Sequence, residues 1–185
     1  MSRVGDLFIS VDVETDGPIP GDYSLASIGA VVVDRPEETF YVELKPISER
    51  FVAEAVATTG LDRERLAREG VEPAEAMRAF GEWVRRVAGR ARPVFVAFNA
   101  TFDWSFVHWY FIHFVGESPF GIAGLDVKAY YMGALGKRRW AETTKRHLEP
   151  RFHSELPHTH NALDDAREQA EVFAKIRAFA EGRAG

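Results

Sequence analysis

The spacing of hydrophobic residues changes along the chain, and the first third has the spacing of strands. Three segments rich in Val, Ile and Phe occupy residues 7–15, 24–34 and 38–44. The first begins apolar on both alternating faces, which is typical of a buried central strand. A turn at 34–36 separates the other two. We therefore predict three strands in an antiparallel meander.

The remaining segments alternate between helix and strand. A helical region covers about 54–90, with breaks at Gly60 and Gly70, and Pro73 opens its last helix. A short strand at 93–98 precedes a segment at 101–114 that is apolar nearly all round, which predicts a buried helix. An extended piece and helix at 121–136, a basic segment at 137–153 and a last helix at 161–181 follow. This order predicts an α/β fold. We expect one domain over 1–185, with its core at about 7–180.

Composition narrows the class of protein without giving its function. The chain has 185 residues, no cysteine and a formal net charge of −5. Disulfides and thiolate metal sites are therefore excluded. The charge does not suit a protein that coats nucleic acid, although carboxylates gathered around metal ions would also make a chain acidic. No apolar run could span a bilayer, and no signal-peptide pattern opens the chain, so we expect a cytoplasmic protein with no membrane partner.

Two acidic residues stand at the end of the first predicted strand. Asp12 and Glu14 are two positions apart, so a strand places both on the same face. Neighbouring carboxylates beside a core repel each other and are costly to desolvate. A divalent cation would remove both costs, because hard cations prefer carboxylate oxygens. The alternative is that the strand has ended and both side chains are solvated.

A third acidic residue, Asp103, lies near the start of the aromatic helix. It could interact only with the positive end of the helix dipole. The surrounding helix is apolar enough to predict that this end packs against the sheet. A carboxylate there needs a partner.

The last helix distinguishes two adjacent aspartates. At 100° per residue, Asp165 falls in line with Val172 and Ile176, whereas Asp164 falls beside Glu171. Asp165 is therefore predicted to face inward. Asp164 is predicted to face water, where it would favour the positive end of the helix.

A histidine precedes this helix. His160 lies five positions before Asp165, and inside a regular helix the two would point about 140° apart. They can meet only if His160 lies in the preceding loop, with Asn161 or Thr159 capping the helix. Histidine is the usual general base near neutral pH, although an exposed loop histidine without a role is the simpler alternative.

In three segments these residues resemble the motifs of the DEDDh 3′→5′ exonuclease family, which includes ribonuclease T, oligoribonuclease and the proofreading subunit of bacterial replicative polymerase. The segments, in chain order, are VDVETDGP (11–18), FNATFDW (98–104) and HNALDDA (160–166). The resemblance implies a ribonuclease H-like mixed sheet flanked by helices. It also implies two divalent cations, Mg²⁺ or Mn²⁺, and hydrolysis that releases nucleoside 5′-monophosphates.

The resemblance also implies a role for each motif residue. Asp12 would bridge the two metals, Glu14 and Asp165 would complete the site of the metal holding the water, and Asp103 would act on the second metal through water. His160 would be the general base. Residues implied to contact the substrate are Thr15, Asp16, Gly17, Asn99 and Phe102. Phe98 departs from the family, which often has histidine there.

The substrate is less defined by the sequence. Aromatic residues of the second motif region could stack on bases or form core: Trp104, Phe106, Trp109 and Tyr110. A basic group could contact phosphates or be a solvated loop: Lys137, Arg138, Arg139, Lys145 and Arg146. The resemblance favours single-stranded 3′ ends, RNA slightly over DNA, and a homodimer. The alternatives are trimming of DNA ends, a silent nucleic-acid-binding module, a metal-dependent phosphatase and a purely structural domain.

Overall fold

The computed structural model describes residues 5–60 and 62–182, which form a five-stranded sheet with helices on both faces. Across the sheet the strands are ordered β3-β2-β1-β4-β5. The first three pair antiparallel, whereas β4 and β5 run parallel to β1. The strands are β1 Asp6–Thr15, β2 Leu25–Val32, β3 Arg35–Glu43, β4 Arg92–Ala97 and β5 Gly124–Asp126. The predicted α/β class with an antiparallel meander is therefore confirmed.

The hairpin between β2 and β3 turns earlier than predicted. Val33 and Asp34 form the turn, and Pro36 lies inside β3 instead of ending the loop. The pairing register shifts between Val31 and Val32 at this end of the hairpin. Because β3 is an edge strand, a proline beside such an irregularity removes no essential ladder hydrogen bond.

Six helices flank the sheet in the described part of the chain. Gly60 ends the first in a left-handed conformation with φ of 64°, and Pro73 occupies the first turn of the third, as predicted. Three single-turn 3₁₀ helices at 140–143, 145–147 and 150–152 connect the last two helices. Of the helices described, none combines the length and apolar character needed to cross a membrane. The helices are α1 Ala53–Thr59, α2 Arg63–Glu69, α3 Pro73–Ala88, α4 Ala100–Phe114, α5 Val127–Leu135 and α6 Ala162–Gly182.

The two faces of the sheet bury separate apolar clusters. On one face, α3 and α4 pack on β1 through rings that include Phe80, Phe106 and Phe111. On the other, α5 and α6 bury Tyr131 and Phe173. Alternate residues of β1 therefore serve different clusters, and the face that carries α6 also carries Asp12 and Glu14.

The helix predicted to be buried all round, α4, buries only one side. Phe106 and Tyr110 are fully buried, whereas Trp104 and Trp109 are partly exposed and Ile112 is 47% exposed. Its largely apolar composition hid this asymmetry, because the few polar residues are spread around the helix and give little periodic signal to indicate its outer face.

The closest packing between α6 and the sheet is at Gly29 of β2. A Cβ on Gly29 would approach the peptide group joining Ala162 and Leu163 to less than 3.0 Å, which real side chains do not do. Gly29 pairs with Asp12 on β1. The missing side chain therefore lets the first turn of α6 lie directly on the strands beside the acidic residues.

Candidate active site

The site begins where β1 continues beyond its partner β4. The parallel pairing of these strands is recorded up to Ser10 and Val96, and β1 runs on to Thr15. Beyond that point the carbonyl oxygen of Val11 accepts from Gln169 Nε2 at 2.7 Å. The amide of Val13 donates to Asp103 Oδ1 at 3.2 Å. Buried backbone groups must be paired, so side chains from α6 and α4 satisfy the end of β1 where no strand does.

Gln169 joins three elements at this point and was missed by the sequence reasoning. Its side chain is almost fully buried, and besides donating to Val11 it accepts from the amide of Phe98 at 2.7 Å. The side-chain amide of Gln169 thus connects β1 to the end of β4 at the point where the two strands separate. The sequence could have indicated this residue only by its position, which is one helical turn after Asp165 and on the same side of α6.

Three of the predicted metal ligands meet at the end of β1. Oxygen atoms of Asp12, Glu14 and Asp165 all lie within 4.8 Å of one another. The fourth, Asp103, is buried beside them and is held by its bond to Val13. Strand alternation predicted the shared face of Asp12 and Glu14, and the helix projection predicted the inward direction of Asp165. Both agree with the positions of these carboxylates relative to the sheet.

Burial raises the pKa values of three of the four carboxylates, and the charges of the other carboxylates of the site add to this effect at two of them. Burial, followed by the charges of Asp103, Glu14 and Asp165, raises the pKa of Asp12 well above its ordinary value. Burial and the neighbouring acids raise the pKa of Glu14 to about 8, and burial raises that of Asp103 to about 7. Such a set is costly without counter-charge. An all-oxygen donor set of this charge fits hard divalent cations such as Mg²⁺ or Mn²⁺.

His160 lies in the loop, as predicted, and not in α6. Its φ of 57° is in the left-handed region, and Asn161 caps the helix by accepting from the amides of Leu163 and Asp164 at 3.0 and 3.3 Å. The ring is exposed, and a ring nitrogen lies within 4.8 Å of an Asp165 oxygen. The turn at His160 therefore brings an imidazole to the metal ligands from the solvent side.

Asp165 and Asp164 differ as the helix projection indicated. Asp165 is only 2% exposed, and its Oδ1 accepts from the amide of Thr159 at 3.0 Å. Asp164 has a side chain 45% exposed and pairs with Arg167 at 3.3 Å. Only Asp165 reaches the acidic cluster.

A second histidine, missed in the sequence, also contacts Asp165. Nδ1 of His158 lies 3.0 Å from Asp165 Oδ1 and 3.2 Å from Glu168 Oε2. Lys145 Nζ binds Glu168 at 2.6 Å and lies 3.4 Å from the same nitrogen. Loop residues have no periodicity, so only the closeness of His158 to His160 could have indicated this position.

A cavity of about 480 Å³ opens beside Glu14. Its walls are mostly apolar, and α1 forms one side. Three hydroxyl groups line it, and each donates inside the protein: Thr15 to Gly17 O at 2.9 Å, Thr58 to Glu54 O at 2.9 Å and Thr59 to Val56 O at 3.2 Å. Among the predicted substrate-contacting residues, Thr15, Gly17 and Phe102 line this cavity.

Asp16 has a different position from the one expected for a substrate contact. Its buried carboxylate accepts from the amide of Ser24 at 2.5 Å and pairs with Arg63. Its own amide donates to Ser24 O at 3.0 Å, and its carbonyl accepts from Val52 at 2.8 Å. Asp16 therefore supports the cavity wall from behind, and it does not belong to the substrate-contacting set.

Asn99 and Phe98 lie at the junction of β4 and α4. Asn99 is exposed at the start of α4 with φ of 79°, outside the residues that line the cavity. Asp126 binds the amides of Ala100 and Ala129, both at 2.7 Å, and so caps α4 and α5 together. Phe98 is half-buried against the apolar cluster on the α6 side of the sheet, and Lys145 Nζ lies 5.6 Å from its ring centroid.

The aromatic candidates for base stacking divide into two groups. Phe106 and Tyr110 are fully buried, and the Tyr110 hydroxyl accepts from Leu25 N at 2.8 Å, so for both the alternative of a core residue holds. Trp104 and Trp109 are partly exposed, but their rings already stack on His108 and His113 at 4.9 and 4.4 Å.

The basic segment is partly neutralised within the protein. Lys137 pairs with Glu149, Arg139 with Glu142 and Lys145 with Glu168, at 2.6–3.1 Å. Exposed Arg138 and Arg146 have no ion pair recorded among residues 5–60 and 62–182. The charges of these two arginines are therefore the ones in the segment that are available to a phosphate.

Raising the pH should destabilise the metal-free protein. The folded-state pKa of Glu14 is raised from 4.5 to about 8, so the folded state holds a proton that the unfolded state releases earlier. Stability from this group is present at low pH and is lost as the pH rises through about 8. We expect the melting temperature in EDTA to fall by several degrees between about pH 6 and about pH 8.

Added Mg²⁺ should reverse this fall, and its stabilising effect should grow with pH, because binding displaces the protons. Melting curves with EDTA and with Mg²⁺ measure both effects. The matched control is Glu14→Gln, which should flatten the slope in EDTA. If Glu14→Gln shows the same dependence of melting temperature on pH as wild type, the assignment of the raised pKa to Glu14 is contradicted.

Comparison with known proteins identifies the family. The family model RNase_T, described as "Exonuclease", matches residues 9–173. The chain is also 46% identical over 177 residues to the 3′-5′ DNA exonuclease Cap18 of Escherichia coli, covering 95% of this chain and 94% of that protein.

Solved structures share the fold. The nuclease domain of 3′hExo, a DEDDh family member bound to rAMP, has a TM-score of 0.73 at 13% identity, covering 98% and 96% of the two chains. E. coli exonuclease I in complex with a dA16 oligonucleotide has a TM-score of 0.65 at 18% identity. The match covers 96% of this chain and 42% of that longer protein. S. pombe Pop2p, with Mg²⁺ and Mn²⁺ bound, has a TM-score of 0.64 at 14% identity, and the match covers 92% of this chain and 82% of that one.

At these identities the solved structures show the fold alone. The family model covers most of the chain, and the E. coli relative matches nearly its full length. The chain therefore belongs to the exonuclease family, as a 3′→5′ exonuclease of the DEDDh type.

Proposed function

We propose that this protein removes nucleotides one at a time from the 3′ end of single-stranded DNA and releases nucleoside 5′-monophosphates. The observation that carries the proposal is the cluster of Asp12, Glu14 and Asp165, with Asp103 buried beside it and His160 close to Asp165. Glu14 also lines a cavity with apolar walls. Four carboxylates supply charge for two divalent cations, and the cavity offers room for the end of a strand.

The acidic residues would hold the metals. Asp12 would stand between them, Glu14 and Asp165 would bind one, and Asp103 would act on the other through water. When bound, two such cations activate a water and stabilise the leaving oxygen of a phosphodiester. Removing the cations with EDTA should therefore stop hydrolysis.

His160 would accept the proton from the attacking water. The water oxygen bonds to phosphorus, the bond from phosphorus to the 3′ oxygen of the preceding nucleotide breaks, and that oxygen gains a proton. The exposed ring of His160 can pass its proton to solvent. Its backbone turn and the cap at Asn161 keep the imidazole beside Asp165 instead of along the helix.

The cavity supports DNA as the substrate. Its three hydroxyl groups, on Thr15, Thr58 and Thr59, already donate to backbone carbonyls, so they could meet a ribose 2′-hydroxyl only as acceptors. The apolar walls suit deoxyribose and a base. The similarity to the E. coli DNA exonuclease supports the same choice over the slight preference for RNA expected from the resemblance.

Phe102 provides a test of how the strand end is held. It lies half-buried in the cavity wall near Glu14, where its face could contact the terminal base. Base stacking on an aromatic ring contributes about 1–3 kcal/mol. Phe102→Leu is therefore expected to raise KM for single-stranded DNA by roughly tenfold while kcat changes little. Steady-state kinetics on short oligomers measure both, and an unchanged KM would exclude this contact.

The activity itself is tested with 5′-labelled oligonucleotides. Single- and double-stranded DNA and RNA are incubated with Mg²⁺, Mn²⁺ or EDTA. A ladder that shortens from the 3′ end of single-stranded DNA supports the proposal, and 5′ or internal cleavage contradicts it. Asp12→Ala is the control for contaminating nuclease.

The same assay distinguishes the other candidates. Binding without product would favour a silent binding module. Hydrolysis of a nitrophenyl monoester in preference to the corresponding thymidine phosphodiester would favour a phosphatase. RNA cleaved faster than DNA would restore the preference expected from the resemblance.

The homodimer remains a prediction. Two exposed apolar side chains could contribute to an interface, Ile112 at 47% and Ile122 at 90% exposed. Light scattering of the purified protein gives its mass in solution. A monomer at high protein concentration would contradict this prediction.

A further inference from the structure

We propose that His158, His160 and Asp165 form a second metal site that binds Zn²⁺ and overlaps the site for the catalytic cations. The ligand atoms of these three residues all lie within 4.8 Å of one another. His158 has no role in the reaction proposed above. Zn²⁺ binding follows from this cluster alone, whereas its inhibitory effect rests on the proposed function.

The separations suit a small tetrahedral ion. His158 Nδ1 and Asp165 Oδ1 are 3.0 Å apart. Two ligands of a tetrahedral Zn²⁺ stand about 3.3–3.6 Å apart, given metal–ligand distances of about 2.0–2.2 Å. The rings of His158 and His160 are 4.6 Å apart between centroids and lie at 70°. A small adjustment of the loop before α6 closes the set around one ion.

The ligand types favour Zn²⁺ over Mg²⁺. Two imidazole nitrogens and one carboxylate match a common zinc donor set, whereas Mg²⁺ prefers oxygen and keeps several waters. Asp12, Glu14 and Asp165 offer only oxygen. Asp165 thus belongs to two clusters of different chemistry, and one side chain cannot serve both fully at once.

Lys145 and Glu168 modulate this second cluster. The Lys145 ammonium lies 3.4 Å from His158 Nδ1, where its charge opposes a cation. Its partner Glu168, 3.2 Å from the same nitrogen, offsets that charge and provides a candidate fourth ligand. Removing the ammonium should therefore tighten Zn²⁺ binding.

Bound Zn²⁺ would block hydrolysis through two residues. The imidazole of His160, when ligated, could not accept a proton from water. Asp165 would be drawn toward the loop and away from Asp12 and Glu14. Mg²⁺ competes for Asp165 but binds imidazole weakly, so we expect excess Mg²⁺ to relieve the inhibition only at high concentration, whereas a stronger Zn²⁺ chelator relieves it fully.

Binding is measured first, without nucleic acid. Zn²⁺ is titrated into metal-free protein against a chromophoric chelator. We expect His158→Asn to weaken binding at least roughly tenfold, Lys145→Met to tighten it, and His113→Asn, a histidine on α4, to leave it unchanged. Imidazole NMR signals of His158 and His160 should shift together. Equal affinity in wild type and His158→Asn would overturn the site.

Inhibition is measured second. Each protein is assayed in saturating Mg²⁺ with increasing Zn²⁺ and is compared with its own zinc-free rate. Wild type should lose activity over the range in which the site fills, and His158→Asn should need at least roughly tenfold more Zn²⁺. Full activity with the site filled overturns the inhibitory role. If no variant cleaves DNA, the proposed function fails, and the binding titration still decides whether the zinc site exists.

Discussion

Asp165→Asn is expected to lower kcat for 3′-end hydrolysis by roughly 10³-fold, because losing a metal ligand removes about 4 kcal/mol of transition-state stabilisation. The asparagine oxygen can still accept from the amide of Thr159, which now binds Asp165 Oδ1 at 3.0 Å. The fold should therefore survive. Removing one negative charge also reduces the repulsion on Asp12, whose pKa is raised first by burial and then by its acidic neighbours, Asp165 among them. The melting temperature in EDTA should not fall.

The adjacent variant Asp164→Asn is the matched control. It removes an exposed ion pair with Arg167 and one charge at the helix start, together about 0.3–1 kcal/mol of stability. Its kcat should stay within about twofold of wild type. Single-turnover rates with Mg²⁺ and melting curves measure both variants. Comparable loss of activity in the two would mean that the orientation of α6 has been misassigned.

Gly29→Ala is expected to cost about 3 kcal/mol or more of folding free energy, which is the upper range for overpacking. The added methyl would lie less than 3.0 Å from the peptide group between Ala162 and Leu163. A backbone group cannot relieve such a clash by changing rotamer, as a flexible side chain can. The first turn of α6 must move away from β2. For a chain of this size, we expect the melting temperature to fall by roughly 6–12 °C.

The same displacement should reduce activity beyond the loss of stability. Asp165 lies in that first turn, so moving it away from Asp12 weakens the metal site, and a higher Mg²⁺ concentration should be needed for half-maximal rate. Gly133→Ala in α5 is the control, since its Cβ meets nothing within 4 Å. It should stabilise the protein by about 0.5–1 kcal/mol. A Gly29→Ala protein with unchanged melting temperature and Mg²⁺ requirement would contradict the packing described.

The parts of the site that could be predicted lie on regular elements. Asp12 and Glu14 share a strand face, and Asp165 shares a helix face with Val172 and Ile176, so local periodicity determined which way each side chain points. His160 could be assigned to the loop by the same reasoning, because the helix would have turned it away. Their convergence was inferred from the order of the motifs and then found in the structure.

The parts that could not be predicted depend on tertiary contacts. His158 lies in a loop, Gln169 binds backbone groups that are open only because β4 stops short, and Asp126 caps two helices at once. Asp16 was assigned to the substrate from its motif, but burial against Arg63 gives it a supporting position. In the aromatic helix, composition could not distinguish buried Tyr110 from partly exposed Trp109.

The bond from Gln169 to Val11 joins residues 158 positions apart in sequence. During synthesis on the ribosome, Asp12 and Glu14 emerge long before α6, and a domain acquires its long-range contacts only once the segments that make them are available. A nascent chain therefore carries two carboxylates of the site without Asp165, His160 or the amide that holds β1 and β4 together. The acidic site is complete only once α6 has been made, so we expect a polypeptide that still lacks α6 to be inert toward nucleic acid around it.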